Sequence, residues 1–235
     1  MKYTFDTRIR YSECDHRGTL TLPGIINYLQ DCSTFQSEDI GFGVEKIKEQ
    51  KRAWILSYWQ IVVERYPKMM ERVTVGTFAS KFKGIIGERN FFLNDAEGRR
   101  IVSAASVWVH MDTERMRPVR PSEEEINAYG EEEPLDMEHE GRKIVLPEHI
   151  KELESFPIRR YHIDTNEHVN NCQYVQMALE MIPADKIIRQ VRVEYRKSAV
   201  YGDVIYPKLA EAVDCTVVEL CDAQGNIFAV VEFKE

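Results

Sequence analysis

The chain has 235 residues, of which 43% are apolar and 30% charged, as is ordinary for a globular protein with one large or two modest domains. The N-terminus lacks the apolar core of a secretion signal, and no apolar run approaches the roughly 18 residues of a membrane span, so we expect a cytoplasmic protein. The formal net charge is −8, yet the stretch 122–140 alone holds nine acids and no Lys or Arg. There is no basic run and no motif typical of nucleic-acid binding.

Five cysteines form an odd set without a C-x-x-C pair: Cys14, Cys32, Cys172, Cys215 and Cys221. This spacing favours neither a disulfide framework nor a zinc site, so we interpret them as reduced, small apolar side chains. The polar run 13–16 offers metal-ligating residue types, but adjacent residues of a strand point to opposite faces and no second pair lies nearby. We expect no metal and no cofactor.

In the first half, a segment that begins at Tyr11 leads through Thr21 and Pro23 into a predicted helix that ends near Gly41 and Gly43. The apolar stripe of this helix consists of Ile25, Ile26, Leu29, Cys32 and Phe35. Strands are predicted over 54–65, 72–80 and 89–109, and the last range is divided by a turn with Asp and Gly.

The acidic stretch, with prolines and glycines around it, predicts a linker or a solvated helix between two halves. In the second half, a segment from Tyr161 leads into a helix that Pro183 closes. The apolar stripe of this helix consists of Val175, Ala178, Leu179 and Ile182. Strands are predicted over 188–197, 204–212 and 215–233.

The two halves resemble each other. Residues 93–101 recur, one residue shorter, as 220–227, and a β-prone apolar run follows each of them. A segment, a helix and an antiparallel meander thus occur twice, which predicts one α+β unit duplicated in tandem.

Three polar residues, Asp164, Asn166 and His168, alternate directly before the second helix. In an extended segment, alternate side chains point to one face, so we expect these three to converge on one substrate while Thr165 and Glu167 point away. Taken alone, such residues are more often a turn and a helix cap than a catalytic set.

The start of the second helix carries its own signals. Asn170 can cap the helix while Gln173 reaches back, as in a capping box. The unpaired N–H groups of the first turn suit a developing oxyanion. Cys172 lies four residues after His168, but a core cysteine is the more common role than one half of a Cys–His pair.

The internal repeat predicts a single active centre. Asp15 aligns with Asp164, but Gly18 and Thr19 stand where the second half has Glu167 and His168. The first half therefore lacks the imidazole.

Several motifs, in order along the chain, resemble those of the acyl-acyl carrier protein (acyl-ACP) thioesterases of the bacterial tandem-hotdog type. The resemblance is carried by Glu13-Cys14-Asp15-x-x-Gly18-x-Leu20, Trp54-Ile55-Leu56-Ser57, Arg65-Tyr66-Pro67, Arg115-Met116-Arg117-Pro118 and Asp164-x-Asn166-x-His168-Val169-Asn170-Asn171-x-x-Tyr174. It covers the chain from about residue 8 to the C-terminus.

The resemblance implies an α+β tandem hotdog fold, in which each unit is an antiparallel sheet wrapped around one long helix. We expect an N-terminal hotdog at 1–125 on the acyl-pocket side, an acidic linker at 126–152 and a C-terminal hotdog with the catalytic motif at 153–235. The implied reaction is hydrolysis of the thioester between a fatty acyl chain and the phosphopantetheine arm of acyl carrier protein. That carrier is the expected partner, without nucleic acid or membrane, and a homodimer is left open.

The resemblance places the catalytic residues at Asp164, Asn166 and His168, but one partner is missing. Where the family has Glu and often Cys, in a segment like Y-R-R-E-C, this chain has Ser198 and Ala199. Ser198 cannot act as a general base, although it can hold a water molecule by hydrogen bonding, so His168 becomes the predicted base. Two alternatives are an acyl-CoA thioesterase of the hotdog type and a non-catalytic acyl-binding or regulatory protein.

Overall fold

The computed structural model describes residues 1–147 and 149–235. The chain divides into two compact units, Met1–Glu138 and His139–Glu235. Their boundary lies within the range 126–152, for which the sequence predicts a linker. Across the residues described, no helix is both long and apolar enough to cross a membrane.

The first unit is an antiparallel sheet with helices. Its helices are α1 (Leu22–Asp39), α2 (Val44–Gln50) and α3 (Glu123–Tyr129), with a short 3-10 helix at Tyr11–Glu13. Its strands are β1 (Tyr3–Arg8), β2 (Arg52–Val63), β3 (Arg72–Lys83), β4 (Ile86–Asp95), β5 (Arg100–Asp112) and β6 (Arg117–Pro118). They pair in the order β1-β3-β4-β5-β2, and β6 pairs with β5.

Helix α1 begins where its sequence predicts. The hydroxyl of Thr21 accepts a hydrogen bond from the N–H of Gly24 at 3.1 Å, and a proline follows the cap. The predicted stripe is buried as far as Cys32, but Phe35 is 43% exposed, so its assignment to the core is wrong. Each i+3 step falls about 60° short of a full turn, and two such steps carry Phe35 to the flank of the helix.

The second unit repeats this plan with a shorter helix. It contains β7 (Ile150–Glu152), β8 (Phe156–Pro157), a 3-10 helix at Arg160–His162, α4 (Asn171–Leu179), β9 (Gln190–Tyr195), β10 (Val204–Glu211), β11 (Thr216–Cys221) and β12 (Ile227–Lys234). The antiparallel order is β9-β12-β11-β10-β7, and β8 also pairs with β10.

Helix α4 has 9 residues where α1 has 18, so the prediction of one long helix in each unit holds only for the first. Ile182, the last residue of the predicted stripe, is buried but lies beyond the helix. Pro183 disfavours the helical conformation at the residue before it. The chain accordingly leaves the helix through i+3 hydrogen bonds from the N–H groups of Met181 and Ile182.

Residues of the predicted acidic linker pack within their own units. Leu135 is buried against Phe78 and Phe92 in the first unit, and Ile144 is buried against Val217 and Val230 in the second. The acidic helix α3 is likewise not fully solvated. Its Glu125 is buried and accepts a hydrogen bond from the indole N–H of Trp54 at 2.8 Å.

The repeated hairpins have the same geometry in both units, which confirms the strands predicted around them. Between β4 and β5, Asp95 and Arg99 are joined by a backbone bond of 2.9 Å, and Asp222 and Asn226 are joined likewise between β11 and β12. In each turn the aspartate carboxylate also accepts backbone N–H groups of the loop.

Candidate functional site

Residues 164–168 form the turn of a tight hairpin, which we call the 164–168 hairpin. At its base Ile163 pairs with Val169 in an antiparallel bridge. The N–H of Asp164 donates to the carbonyl of His168 at 2.8 Å, and the N–H of Glu167 donates to the carbonyl of Asp164 at 3.1 Å. This pattern is that of a three-residue hairpin loop built on a turn and a left-handed residue.

The expected extended conformation of this segment is therefore wrong. The carboxylate of Asp164 accepts the N–H of Asn166 at 2.8 Å, so the side chain folds onto its own backbone two residues on. Glu167 takes the left-handed conformation, with φ of 62°. Alternate residues of a turn do not share a face as they do in a strand. Asn166 and His168 are exposed at the turn, and Asp164 is half-buried.

The structure brings Ser198 to the face that carries His168. His168 pairs with Val200 in an antiparallel bridge, and side chains of directly opposed residues point to the same face. Ser198 precedes Val200 by two residues and is exposed, whereas Ala199 between them is buried. Diagonal neighbours of this kind lie about 7 to 8 Å apart. A separation of this size leaves room for one small group, such as a water molecule.

Ala199, which stands where the family often has Cys, faces the core. Its carbonyl accepts the N–H of Val169 at 2.9 Å, and its N–H donates to the hydroxyl of Tyr174 at 2.8 Å. Burial, with smaller contributions from the carboxylates of Asp203 and Asp164, raises the pKa of Tyr174 to about 12. Tyr174 is thus neutral at physiological pH and ties helix α4 to the chain segment that carries Ser198.

The start of helix α4 is capped, but without the predicted capping box. The side chain of Asn170 accepts the N–H of Cys172 at 2.9 Å, while the side chain of Gln173 bonds to Gln176 instead of reaching back. Among the described residues, the N–H of Asn171 has no hydrogen-bond partner, which leaves it as a candidate oxyanion donor. Cys172 is buried, and burial raises the pKa of its thiol to about 12, as fits a core cysteine.

In the part of the chain that the structure describes, no group of three or more His, Cys, Asp or Glu side chains is placed to hold a metal ion. A shallow depression adjoins the hairpin and is lined by Arg160, Ile163, Glu167, Val200 and Tyr201.

Two family matches decide the classification. The acyl-ACP thioesterase N-terminal domain matches residues 1–129, and the acyl-ACP thioesterase C-terminal domain matches residues 147–225. The chain belongs to the acyl-ACP thioesterase family. The 164–168 hairpin lies within the C-terminal match.

The acyl-ACP thioesterase family includes relatives from plants and bacteria. The chloroplastic oleoyl-acyl carrier protein thioesterase of Coriandrum sativum is 24% identical over 97% of this chain and 68% of its own length. The chloroplastic palmitoyl-acyl carrier protein thioesterase of Cuphea hookeriana is 28% identical over 80% of this chain and 50% of its own length. The chain thus spans between half and about two thirds of these relatives.

A crystal structure of an acyl-ACP thioesterase from Bacteroides thetaiotaomicron has the same fold. It superimposes with a TM-score of 0.90 over 99% of this chain and 97% of its own, at 24% identity. The predicted family and the α+β hotdog fold are therefore confirmed. The family is one of thioester hydrolases.

Sequence reasoning did not find the cross-strand partner of His168 or the tie through Tyr174. The apolar side chain of Val200 does not mark a functional position in the sequence. Its place opposite His168 follows only from a bridge between residues 32 positions apart. Tyr174 was visible in the motif, but only the fold shows that its hydroxyl meets the backbone of Ala199.

Proposed function

We propose that this chain hydrolyses the thioester of fatty acyl-ACP and releases a free fatty acid, with Asn166 and His168 in contact with the reacting atoms and Asp164 as the residue that positions them. The observation that carries the proposal is the exposed imidazole of His168 on the same face as Ser198, at the hairpin of a family member. An exposed histidine next to a small polar side chain can bind and activate water.

In the proposed reaction, the imidazole of His168 takes a proton from a water molecule that the hydroxyl of Ser198 holds. The water oxygen attacks the thioester carbonyl carbon, and the carbonyl oxygen becomes an oxyanion. The side-chain amide of Asn166 and the backbone N–H of Asn171 donate to this oxygen. When the carbon–sulfur bond breaks, the imidazolium returns the proton to the leaving thiolate.

Asp164 acts on the loop in this scheme and not as a base. Its carboxylate already accepts the N–H of Asn166, which fixes the turn that presents the amide of Asn166 and the ring of His168.

The test is product analysis with acyl carrier proteins that bear saturated chains of increasing length, beside the same chains on CoA. We expect release of free fatty acid from acyl-ACP with a higher kcat/KM than from acyl-CoA. A preference for acyl-CoA would replace the proposed carrier, and hydrolysis of neither substrate would overturn the proposed activity.

Ser198 also supports a second candidate, an acyl-binding protein without turnover. The family position for a carboxylate holds a side chain that cannot take a proton at neutral pH. This candidate predicts saturable binding of acyl-ACP in equilibrium measurements and no fatty acid release above the uncatalysed rate.

A further inference from the structure

The depression beside the 164–168 hairpin has a volume of about 500 Å³. Two of its lining residues, Ile163 and Glu167, directly precede Asp164 and His168 along the chain. A third, Val200, is the cross-strand partner of His168. A molecule in this depression therefore lies against the proposed catalytic loop.

The walls of the depression are apolar and exposed. Val200 is 42% exposed and Tyr201 is 59% exposed, and Ile163 completes this surface. An apolar surface with a few polar groups beside it has the composition of a ligand-binding surface.

The two charged residues of the depression have opposite sign. The guanidinium carbon of Arg160 lies 5.8 Å from the centroid of the Tyr201 ring, a cation–π distance. Among the described residues Arg160 has no carboxylate partner, whereas Arg196 and Lys197, which precede Ser198 along the chain, are paired with Glu194 and Asp222. The charge of Arg160 is thus available to an anion.

We infer, on the basis of the function proposed above, that this depression binds the phosphopantetheine arm of the carrier and that Arg160 contacts its phosphate. The arm has an apolar dimethyl group and two amides between its thioester and its phosphate, which match the apolar wall and the two polar ends. A guanidinium is the side chain best suited to a phosphate. Glu167 repels the phosphate and accepts an amide N–H, so the thioester end lies toward His168.

The experiment compares the wild-type chain with Arg160→Ala on one acyl chain carried by ACP, by CoA and by pantetheine, which lacks the phosphate. We expect KM of the variant to be about tenfold higher for the two phosphate-bearing substrates. A factor of this size is the lower end of the range for loss of a charge-assisted hydrogen bond, as is appropriate at an exposed site. KM for acyl-pantetheine and all three kcat values should stay within about twofold, since no reacting group is altered.

The matched control is Arg100→Ala in the first unit. Arg100 is also exposed and lies 5.5 Å from the centroid of the Phe92 ring, but it lines no part of this depression. Its removal should leave KM for all three substrates unchanged. An equal effect of Arg160→Ala on acyl-pantetheine, an effect on acyl-ACP alone, or no effect at all would overturn the phosphate contact.

Binding separates this inference from the proposed activity. Calorimetry with thioether analogues of acyl-CoA and of acyl-pantetheine measures affinity without turnover. Arg160→Ala should weaken only the phosphate-bearing analogue, again by about tenfold. Loss of that selectivity contradicts the inference even if the enzyme is active, and a wild-type chain that binds with this selectivity but hydrolyses nothing contradicts the proposed activity alone.

Discussion

The 164–168 hairpin of the second unit and the corresponding 15–19 hairpin of the first have the same backbone. In each, the aspartate N–H bonds to the carbonyl four residues on, at 2.8 Å from Asp164 and at 2.9 Å from Asp15. In each, the residue before the last has a positive φ, 62° at Glu167 and 72° at Gly18. The two units thus share the backbone conformation of this loop and differ in the side chains that it carries.

The side chains differ in how much of their polar capacity the loop itself uses. Asp15 accepts the N–H groups of Arg17 and Thr19 and also the hydroxyl of Thr19 at 3.1 Å. Asp164 accepts only the N–H of Asn166 among the described residues, and the ring of His168 makes no hydrogen bond there. The loop of the first hairpin uses most of the polar groups of its own side chains, whereas the second leaves the imidazole of His168 for a substrate.

Replacement of a histidine should have the largest effect on activity, and only in the second hairpin. We expect His168→Ala to lower kcat for acyl-ACP between about 100- and 10,000-fold, the range for loss of a general base. The control His16→Ala removes an exposed histidine from the first hairpin and should leave kcat within about twofold. If His168→Ala retains full activity in a fatty-acid release assay, the second hairpin is not the catalytic one.

The missing acid can be restored next to the second hairpin. Because Ser198 shares the face of His168, Ser198→Glu should place a carboxylate where it can take a proton and raise kcat on the order of tenfold. Ser198→Gln has the same length without the charge and should give no increase. A rate for Ser198→Glu at or below that of Ser198→Gln would show that the site does not depend on an acid at this position.

The residue with positive φ can be exchanged between the two hairpins, since it is Gly18 in the first and Glu167 in the second. Gly18 has open space where a Cβ would stand, so Gly18→Ala should cost about 1 kcal/mol of unfolding free energy through its positive φ alone. Glu167→Gly should raise the unfolding free energy by only about 0.5 kcal/mol, because relief of the positive φ is partly offset by the greater conformational freedom of glycine in the unfolded chain. Urea denaturation measures both changes, and an unchanged midpoint for both would contradict the strain.

The smallest expected effect is on the stability of the protein at low pH, through Asp15 in the first hairpin. Burial raises the pKa of Asp15, but the hydrogen bonds from Thr19 and Arg17 outweigh it and hold the pKa below its ordinary value. A carboxyl with a lowered folded-state pKa stabilises the fold above its ordinary pKa and loses this contribution as the pH falls through the lowered value. The melting temperature of Asp15→Asn should therefore fall less steeply with decreasing pH than that of the parent below about pH 4, the ordinary pKa range of an aspartate. Asp136→Asn, at an exposed carboxylate, is the control, and a slope equal to that of the parent would refute the contribution of Asp15.

Much of the fold was predictable because local patterns and the repeat agreed with each other. The cap at Thr21, the apolar stripe from Ile25 to Cys32 and the hairpins at Asp95 and Asp222 follow from residues close in sequence. The exposure of Phe35 and the early end of α4 were not predicted. In both cases the exact angle or end of a helix decided the outcome, and periodicity fixes these only within a few residues.

The candidate site was predictable in its residues but not in its shape. The order of Asp164, Asn166 and His168 suggested a strand, because alternation is the signal of a strand. The Asx hydrogen bond at Asp164 and the left-handed Glu167 made it a turn instead. Nothing in a hydrophobicity pattern distinguishes these outcomes over so few residues.

The amino-acid sequence by itself determined the duplicated α+β unit, the family and the residue types available for catalysis, since these depend on motifs and periodicities within short segments. Only the tertiary structure decided that Ser198 lies on the face of His168, that Ala199 is buried on Tyr174, and that Arg160 stands beside Tyr201 with no acidic partner among the described residues. These relations join segments that the chain separates by up to 41 positions, from Arg160 to Tyr201, and they exist because strand pairing and core packing bring such segments together.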